Sequence, residues 1–296
     1  MFSAQTIVLR VDSPPDAGVF AEVLTNIGTA GGEVVGVRTV SAGRESITRE
    51  IDVHADDQAA ASIVAAIRGH ATVTLADASS AALQAREGGT MTMRNRAGVS
   101  SRDDLAMAYT PGVARVCLAI HEDFDQAWDY TVKGNSVMVT SDGSDVAGEG
   151  DLGPLAALPA CEALCAVLRQ VGGVDGVPLP IDERDLASAA THIHRVSSVF
   201  AGIHLTGMTT ERAATLAGHL RALVEIPVTT DGDVSLGALA GFWRGALDTR
   251  ARSASASMLA QAAAAASNAP LNDGGAAALA TDVAAAARAD GVARLK

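Results

Sequence analysis

The order of strand-like and helix-like segments changes near residue 80, and this change constrains the fold more than any other feature of the sequence. Over residues 1–79, four runs rich in β-branched residues are separated by helical patterns in the order βαββαβ; the runs are QTIVLRV, EVVGVRTV, SITREIDV and ATVTLAD. Val23 and Ile27 stand at helical spacing in the first helix, which Gly31 ends. This order predicts a split, ferredoxin-like unit.

A second unit with a different pattern is predicted further along the chain. Residues 80–101 show no sustained periodicity and are predicted to be a linker. Within residues 102–248, helices are predicted at 111–121 and 153–171, and the strand-like runs SVMVTSD, GVPLPID, SSVFAGIHL and EIPVTT alternate with helices. This alternation is typical of a parallel sheet covered by helices. Residues 249–296 are rich in alanine and predict a helical tail, so the fold class is α/β.

Charge and cysteine content limit the partners and the compartment that we expect. The 296 residues carry a formal net charge of −12 without a basic stripe, which argues against nucleic acid and against an anionic membrane surface. Three cysteines are an odd number and form no disulfide framework, as in reduced cytosolic proteins. The N-terminus lacks the pattern of a signal peptide, and the longest apolar stretch, MLAQAAAAAS, is too short to span a bilayer. We therefore expect a cytoplasmic protein without a membrane partner.

Three short patterns suggest ligand sites but are explained more simply by structure. GEGDLG, residues 148–153, matches G-x-G-x-x-G, but the turn-rich segment before it is not a strand, so we interpret it as a glycine-rich turn. Cys161 and Cys165 share a helix face without a second pair at zinc spacing, which predicts small buried side chains. His192 and His194 point apart on a helix and predict a solvated helix end.

The first strand–helix turn resembles that of the ACT domain, a small regulatory module. The resemblance lies in VDSPPDAGVFAEVLTNIGTAGGEVV, where Asp16, Gly18 and Val19 occupy the turn that commonly helps to bind an amino-acid effector at a dimer interface. Gly18 leaves room for a ligand to approach the backbone, and the helix N-terminus favours a carboxylate. The alternative is that Gly18 only shapes the turn, in a module that dimerises without a ligand.

The second unit resembles bacterial malic enzymes, some of which carry an N-terminal ACT domain. RDDLAMAYTPGVARVCLAIHED, KGNSVMVTSDGSDVAGEGDLGP, VFAGIHL and VEIPVTTD occur in that family's order, over roughly residues 100–240, and ALATDVAAAARADGVARLK resembles the family's C-terminus. The resemblance implies oxidation and decarboxylation of malate with NAD(P) and Mg²⁺ or Mn²⁺. It also implies a lysine base, a tyrosine acid and three carboxylate ligands for the metal.

Only the tyrosine of this machinery is retained in the sequence. Tyr109, in AYTPGV, matches the family's tyrosine, whereas the lysine position falls on Leu164 in LPACEALCAVLR. The chain has only two lysines: Lys133 matches a different basic position of the family, and Lys296 is the last residue. A leucine side chain accepts no proton, so the resemblance predicts that the base is lost.

The metal and nucleotide sites of the family also lack their counterparts. The Glu-Asp pair of the family falls on Thr206 and Gly207, which leaves Asp231 and Asp233 in TTDGDVSLG as the remaining candidate metal ligands. One carboxylate seldom holds Mg²⁺ or Mn²⁺ without other ligands. Residues 249–296 leave no room for a Rossmann domain, because one βαβ unit alone takes about 30 residues. We therefore expect neither a metal nor a nicotinamide cofactor.

These losses predict a non-catalytic relative of malic enzyme with a regulatory or structural role. It would be a homodimer that responds to an amino-acid effector, or a partner of a full-length malic enzyme. One alternative is a cofactor-free reaction on a small keto acid, in which Tyr109 acts with Asp231 or Asp233. The other alternative is malic enzyme activity itself, which the family resemblance would imply if the lost residues were disregarded.

Overall fold

The computed structural model describes residues 5–266 and 273–295 and divides the chain into two compact units, Met1–Gly88 and Gly89–Lys296. The division falls inside the segment that the sequence predicts as a linker. A short helix at Ala81–Ala85 packs on the strands Gln5–Ser13 and Thr74–Ser80, so the start of the predicted linker belongs to the first unit.

The first unit contains four strands and three helices: β1 (Gln5–Ser13), α1 (Ala17–Thr29), β2 (Glu33–Ala42), β3 (Ile47–Ala55), α2 (Asp57–Arg68), β4 (Thr74–Ser80) and α3 (Ala81–Ala85). The order βαββαβ up to β4 is the predicted order. The sheet order is β2-β3-β1-β4, and every neighbouring pair of strands is antiparallel.

The core of the first unit lies between one face of this sheet and the helices α1 and α2. Side chains alternate along a strand, so β1 and β3 turn every second residue inward, and the helices supply residues at helical spacing. The fully buried members include Leu9, Ile51, Val53, Val23, Ile27, Ile63 and Ile67. Asp16 and Asp56 cap the two helices by accepting from backbone N–H groups.

The second unit contains a four-stranded parallel sheet and nine helices in its described part. The elements are α4 (Arg102–Ala108), α5 (Gly112–Glu122), α6 (Ala127–Tyr130), β5 (Ser136–Thr140), α7 (Pro154–Gly172), β6 (Asp175–Pro178), α8 (Leu186–Val196), β7 (Gly202–Leu205), α9 (Thr210–Arg221), β8 (Val228–Thr230), α10 (Leu236–Asp248), α11 (Ala256–Ala266) and α12 (Asp273–Ala289). The parallel sheet, the helices at 111–121 and 153–171 and the helical tail are as predicted; most of the SNAPLNDGG segment within the tail lies outside the described residues.

The strand order β6-β5-β7-β8 places helices on both faces of the sheet. The chain runs from β5 through α7 to β6, and then returns past β5 through α8 to β7. Because crossovers between parallel strands are right-handed, α7 and α8 cover opposite faces. In agreement, α7 packs with α10 and α12, whereas α8 packs with α9. This is an α/β layer arrangement in which β5 and β7 form the centre.

Helix α10 was not predicted, although it forms the centre of the larger core. Phe242 and Trp243 are fully buried there, in an edge-to-face pair with ring centroids 5.4 Å apart. A Cβ atom at Gly202 on β7 would lie 2.1 Å from the Trp243 ring, so the indole packs directly on the strand backbone. Three glycines, Gly237, Gly241 and Gly245, disfavour a helix in this segment by intrinsic propensity, so its sequence does not stand out as helical.

Helix α7, and not the stretch MLAQAAAAAS, is the longest apolar helix in the described part of the chain. Helix α7 has 19 residues and a mean hydropathy of 1.3, and by length and composition it meets the criterion for a membrane span. Core helices of globular proteins meet the same criterion. Here Ala157, Cys161, Cys165 and Leu168 form one buried face of α7 in the core of the second unit.

Candidate functional site

The carboxyl ends of β5 and β7 are the place where the fold favours a ligand site. The strand order reverses at this point, because β5 connects to one side and β7 is reached from the other. In open α/β sheets, ligands bind in the crevice outside the carboxyl ends of the strands at such a switch point. The residues that follow β5, β7 and β8 therefore form the candidate site.

The loop after β5 is fixed against the loop after β7 by buried polar contacts. Ser141 Oγ donates to Gly207 O at 3.1 Å, and Thr209 N donates to Ser144 Oγ at 3.2 Å. The Asp142 side chain is 1% exposed and accepts from Arg212 Nε at 2.6 Å and from Ser144 N at 3.0 Å. A charged, hydrogen-bonded pair of this kind orients the loop while keeping the buried carboxylate compensated.

A buried histidine supports the carboxylate that follows β8. His204 on β7 is almost fully buried; its Nδ1 lies 2.9 Å from Thr229 Oγ1 and its Nε2 lies 3.2 Å from Asp231 Oδ1. The backbone N–H of Gly207 donates to Asp231 Oδ2 at 3.3 Å. Partial burial raises the pKa of Asp231, but the hydrogen bonds from His204, Thr206 and Gly207 outweigh it and hold this pKa below its usual value.

Asp231 and Asp233, the two candidate metal ligands, do not form a cation site together. Asp233 Oδ2 accepts from Arg221 Nη2 at 2.7 Å and from Thr230 N at 3.0 Å, so its charge is compensated within the protein. Asp231 is engaged by His204. Within residues 5–266 and 273–295, no three His, Cys, Asp or Glu side chains are grouped in a way that could hold a metal ion. The donor set present does not fit the family's divalent metal.

A cleft of about 250 Å³ opens beside Asp231. Its other lining residues come from the ends of β7 and β8 and from the start of α9; they include Leu205, Met208, Thr210, Ala213, Thr230 and Asp233. This cleft can accept a ligand of a few heavy atoms. Asp231 lines the cleft and is hydrogen-bonded to His204. Proton transfer is the chemistry that such a carboxylate can support.

Tyr109 lies away from these contacts, in the turn between α4 and α5. Its side chain is 67% exposed, and its hydroxyl makes no hydrogen bond within the described part of the chain. The structure therefore does not pair Tyr109 with Asp231 or Asp233 through a hydrogen bond. Helices α4 and α5 bury no residue.

Leu164, at which the family resemblance places the lysine, is an apolar residue of α7. Leu164 lies in the middle of α7 and packs, partly buried, against the core of the second unit. Thr206, at one of the family's carboxylate positions, is buried and donates to Asp231. Lys133 lies before β5, at the amino end of the sheet, far along the strand from the candidate site.

The three short patterns take ordinary structural roles. Burial raises the pKa of the Cys161 and Cys165 thiols to about 12, so both are core side chains. His192 and His194 are exposed on α8. In the segment 148–153, Gly148, Gly150 and Gly153 adopt positive φ in a turn that precedes α7 but does not directly follow β5.

In the first unit, the predicted effector turn is closed by its own aspartate. Asp16 Oδ1 accepts from Gly18 N at 2.7 Å and so caps α1. A Cβ atom at Gly18 would lie 3.1 Å from that carboxylate oxygen, which explains the glycine by local packing alone. Val19 is half-buried and packs against the core of the first unit. The Gly18 N–H is already bonded to Asp16, so a ligand at this turn could use only the other backbone N–H groups of the first turn of α1.

His204 and the pair Asp142–Arg212 were not predicted from the sequence as parts of the candidate site. His204 is the one polar side chain in an otherwise apolar strand, β7. This exception, together with the aspartate that follows β8, was the only signal available in the sequence. Asp142 and Arg212 are far apart in sequence, and their pairing depends on the crossover from β5 to α9. Neither pairing could be read from a local pattern.

The second unit matches a known sequence family. The profile described as "Malic enzyme, N-terminal domain" matches residues 88–191. An NAD-dependent malic enzyme from Geobacillus stearothermophilus is 34% identical over 230 residues, which are 77% of this chain and 48% of that protein. NAD-dependent malic enzyme 1 from Bacillus subtilis is 30% identical over 225 residues, 75% of this chain and 51% of that protein.

Solved structures of malic enzymes share the fold. The crystal structure of malic enzyme from Pyrococcus horikoshii Ot3 superposes with a TM-score of 0.65 at 22% identity, over 70% of this chain and 89% of that one. An NAD-dependent malic enzyme from Thermotoga maritima gives a TM-score of 0.50 at 28% identity, over 57% of this chain and 48% of that one. The chain spans about half the length of the two sequence relatives it matches. Its second unit contains the N-terminal domain of the malic enzyme family, as the sequence motifs predicted.

Proposed function

We propose that this chain is a non-catalytic member of the malic enzyme family with a regulatory role. The observation that carries the proposal is Leu164, an aliphatic side chain packed on the core at the position where the family resemblance places the lysine base. Within the described residues the one lysine is Lys133, and it donates to two backbone carbonyls at the other end of the sheet. Without a base, the C2 hydroxyl of malate cannot lose its proton.

The electrostatics of the candidate site support the same proposal. The family's carboxylate pair corresponds to Thr206 and Gly207, and Asp233 is neutralised by Arg221. A divalent cation would therefore meet one carboxylate, Asp231, which is already bonded to His204 and to a backbone N–H. Hard cations require several oxygen ligands, so this set favours an empty metal position.

The regulatory role that we propose depends on pairing between chains. Leu105, Met107 and Leu118 on α4 and α5 are each more than half exposed, and neither helix buries a side chain within the chain. Exposed apolar helices of this kind typically mark a protein–protein interface. The occupant that we propose is a second copy of this chain, with a full-length malic enzyme as the alternative partner.

For the first unit we propose an ACT-type regulatory module. Its support is the βαββαβ element order, the four-stranded antiparallel sheet and the Asp16–Gly18 turn at the start of α1. The effector would be an amino acid whose carboxylate meets the N-terminus of α1. A thermal-shift screen with the twenty amino acids tests this step. We expect a shift that Gly18→Ala removes and Gly28→Ala retains, since a Cβ at Gly28 meets nothing within 4 Å.

The test of the non-catalytic proposal is a direct assay. The purified chain is incubated with malate, Mn²⁺ and either NAD or NADP, with a complete malic enzyme as positive control, and absorbance of the reduced nicotinamide is followed. We expect no reduction above the blank. Reduction that the Tyr109→Phe variant loses would show that the family's activity persists and would overturn the proposal.

Pairing is tested separately by light scattering. The Leu118→Arg variant places a charge on the exposed face of α5 and is expected to shift the wild-type dimer towards monomer. Leu83→Arg, at a 72% exposed position in the first unit, is the matched control and should leave the mass unchanged. A wild-type chain that is monomeric and does not bind an added full-length malic enzyme would remove the partner role.

A cofactor-free reaction on a small keto acid is the second candidate function. The specific observation that favours it is Asp231, a carboxylate held by the buried His204 at the wall of a cleft. Decarboxylation of oxaloacetate can be measured as loss of the keto acid. The control is Glu149→Gln, at an exposed position of the segment 148–153. Turnover that Asp231→Asn abolishes and Glu149→Gln leaves intact would establish this function in place of the non-catalytic one. Loss of that turnover in Tyr109→Phe would support the predicted tyrosine–carboxylate pair.

A further inference from the structure

A second cavity lies at the opposite end of the parallel sheet from the candidate site. It has a volume of about 260 Å³ and is formed by residues that precede β5, β7 and β8. Lys133 and Arg294 contribute cationic groups to it, and Leu223, Val224 and Ile226 contribute an apolar wall. None of these residues belongs to the cleft beside Asp231.

The cationic side of this cavity is built around one indole ring. Trp128 is buried, and three cationic groups lie near its ring centroid: Lys133 Nζ at 4.7 Å, Arg294 Cζ at 5.2 Å and Arg250 Cζ at 5.8 Å. Each cation is attracted by the ring, but the three repel one another. Positive charge is therefore concentrated at a single point of the surface.

Nearby carboxylates compensate this charge only in part. Asp129 is hydrogen-bonded to Arg250, so that pair is neutral. Glu225 also lines the cavity, but its side chain is 84% exposed and lies 3.9 Å from Arg294, so water screens its charge. Lys133 Nζ donates to Ser198 O at 2.7 Å and to Phe200 O at 2.9 Å, which leaves one of its three protons free. Lys133 thus has a donor and a charge without a carboxylate partner.

We propose that this cavity binds a small organic carboxylate. The anion would accept the free proton of Lys133 and be attracted by Arg294, while its carbon chain would pack on Leu223, Val224 and Ile226. A charge-assisted hydrogen bond in a partly dehydrated cavity supplies the attraction, and the apolar wall distinguishes an organic acid from inorganic phosphate.

The composition of the chain provides a site-specific test, because Lys133 and Lys296 are its only lysines. Burial, and secondarily the charge of Arg294, lower the pKa of Lys133 to about 8. At pH 8 about half of this side chain is a free amine and reacts with an acetyl succinimidyl ester. A bound carboxylate that raises the pKa by about one unit slows the acetylation about fivefold. Mass spectrometry reports Lys133 and, as internal reference, Lys296.

The measurement compares butyrate, succinate and inorganic phosphate at constant ionic strength set with NaCl. We expect saturable, roughly fivefold protection of Lys133 by at least one carboxylate, with less protection by phosphate and none of Lys296. Protection by no carboxylate, stronger protection by phosphate, or equal protection by NaCl alone would each overturn the proposal. This assay uses the intact wild-type chain and so does not depend on the folding of a variant.

Tryptophan fluorescence provides an independent measurement with variants. Trp128 lies beneath Lys133 and Arg294, two residues that line the cavity, whereas the only other tryptophan, Trp243, is fully buried in the core. The carboxylate that protects Lys133 should change the emission of the wild type with the same midpoint. Lys133→Met and Arg294→Gln should lose this response, and Arg195→Gln, at an exposed site outside the cavity, should keep it. Retention of the response in Lys133→Met would contradict the proposed contact.

Discussion

The side chain of Asp142 is 1% exposed, and its Oδ2 accepts a hydrogen bond from Arg212 Nε at 2.6 Å. The pair joins the loop after β5 to the first turn of α9, across the point where the strand order reverses. The carboxylate is buried, whereas the guanidinium is partly open to solvent. Loss of Arg212 would therefore leave Asp142 with an uncompensated buried charge, whereas loss of Asp142 would leave Arg212 partly solvated. This ion pair therefore acts with the hydrogen bonds of Ser141 and Ser144 to hold the two loops of the candidate site together.

Replacement of Arg212 by alanine should destabilise the protein by about 3 kcal/mol, since it leaves a buried carboxylate without its partner. Urea unfolding followed by circular dichroism measures the change. The matched control is Arg184→Ala, which breaks the exposed pair with Asp151 and should have little effect. Equal losses in the two variants would show that burial of Asp142 does not control the stability of this loop.

Stability should depend on the protonation of Asp231. The folded state holds its pKa below the usual value, so this carboxylate contributes stability above the unfolded pKa of about 3.9 and loses it as the pH falls through the lower folded pKa. Wild type should therefore be more stable than Asp231→Asn at pH 7, and the difference should shrink as the pH falls below about 4. Urea midpoints at pH 3 to 7 test this, with Glu149→Gln, at an exposed position of the segment 148–153, as the control for loss of one carboxylate. A difference independent of pH would contradict the assignment.

Much of the first unit and of the parallel sheet could be predicted because their strands are short, β-branched and bounded by turns. Helix α10 could not, since Gly237, Gly241 and Gly245 lower the helix propensity of its segment, and the helix is stabilised instead by tertiary burial of Phe242 and Trp243. Asp231 was identified as a candidate from the resemblance of TTDGDVSLG to the family's metal-binding loop. The role of His204 was not, because the bond between them depends on the pairing of β7 with β8.

The thiols should differ sharply in reactivity. Burial raises the pKa of Cys161 and Cys165 to about 12, whereas Cys117 is exposed on α5. Because the thiolate is the reacting form, a disulfide reagent at pH 8 should titrate one thiol in the folded protein and three in guanidinium chloride. Cys117→Ser should reduce these values to none and two. Two or more reactive thiols in the folded protein would show that α7 opens readily.

Two glycine substitutions should change stability in opposite directions. At Gly202 an added Cβ would lie 2.1 Å from the Trp243 ring, so Gly202→Ala must displace the indole or the strand and should destabilise by about 2 kcal/mol or more. At Gly218, on the exposed side of α9, an added Cβ meets nothing within 4 Å, and Gly218→Ala should stabilise by about 0.5–1 kcal/mol through helix propensity. Thermal or urea unfolding compares the two. A small effect at Gly202 would mean that α10 can shift away from β7, which is incompatible with an indole packed directly on the strand backbone.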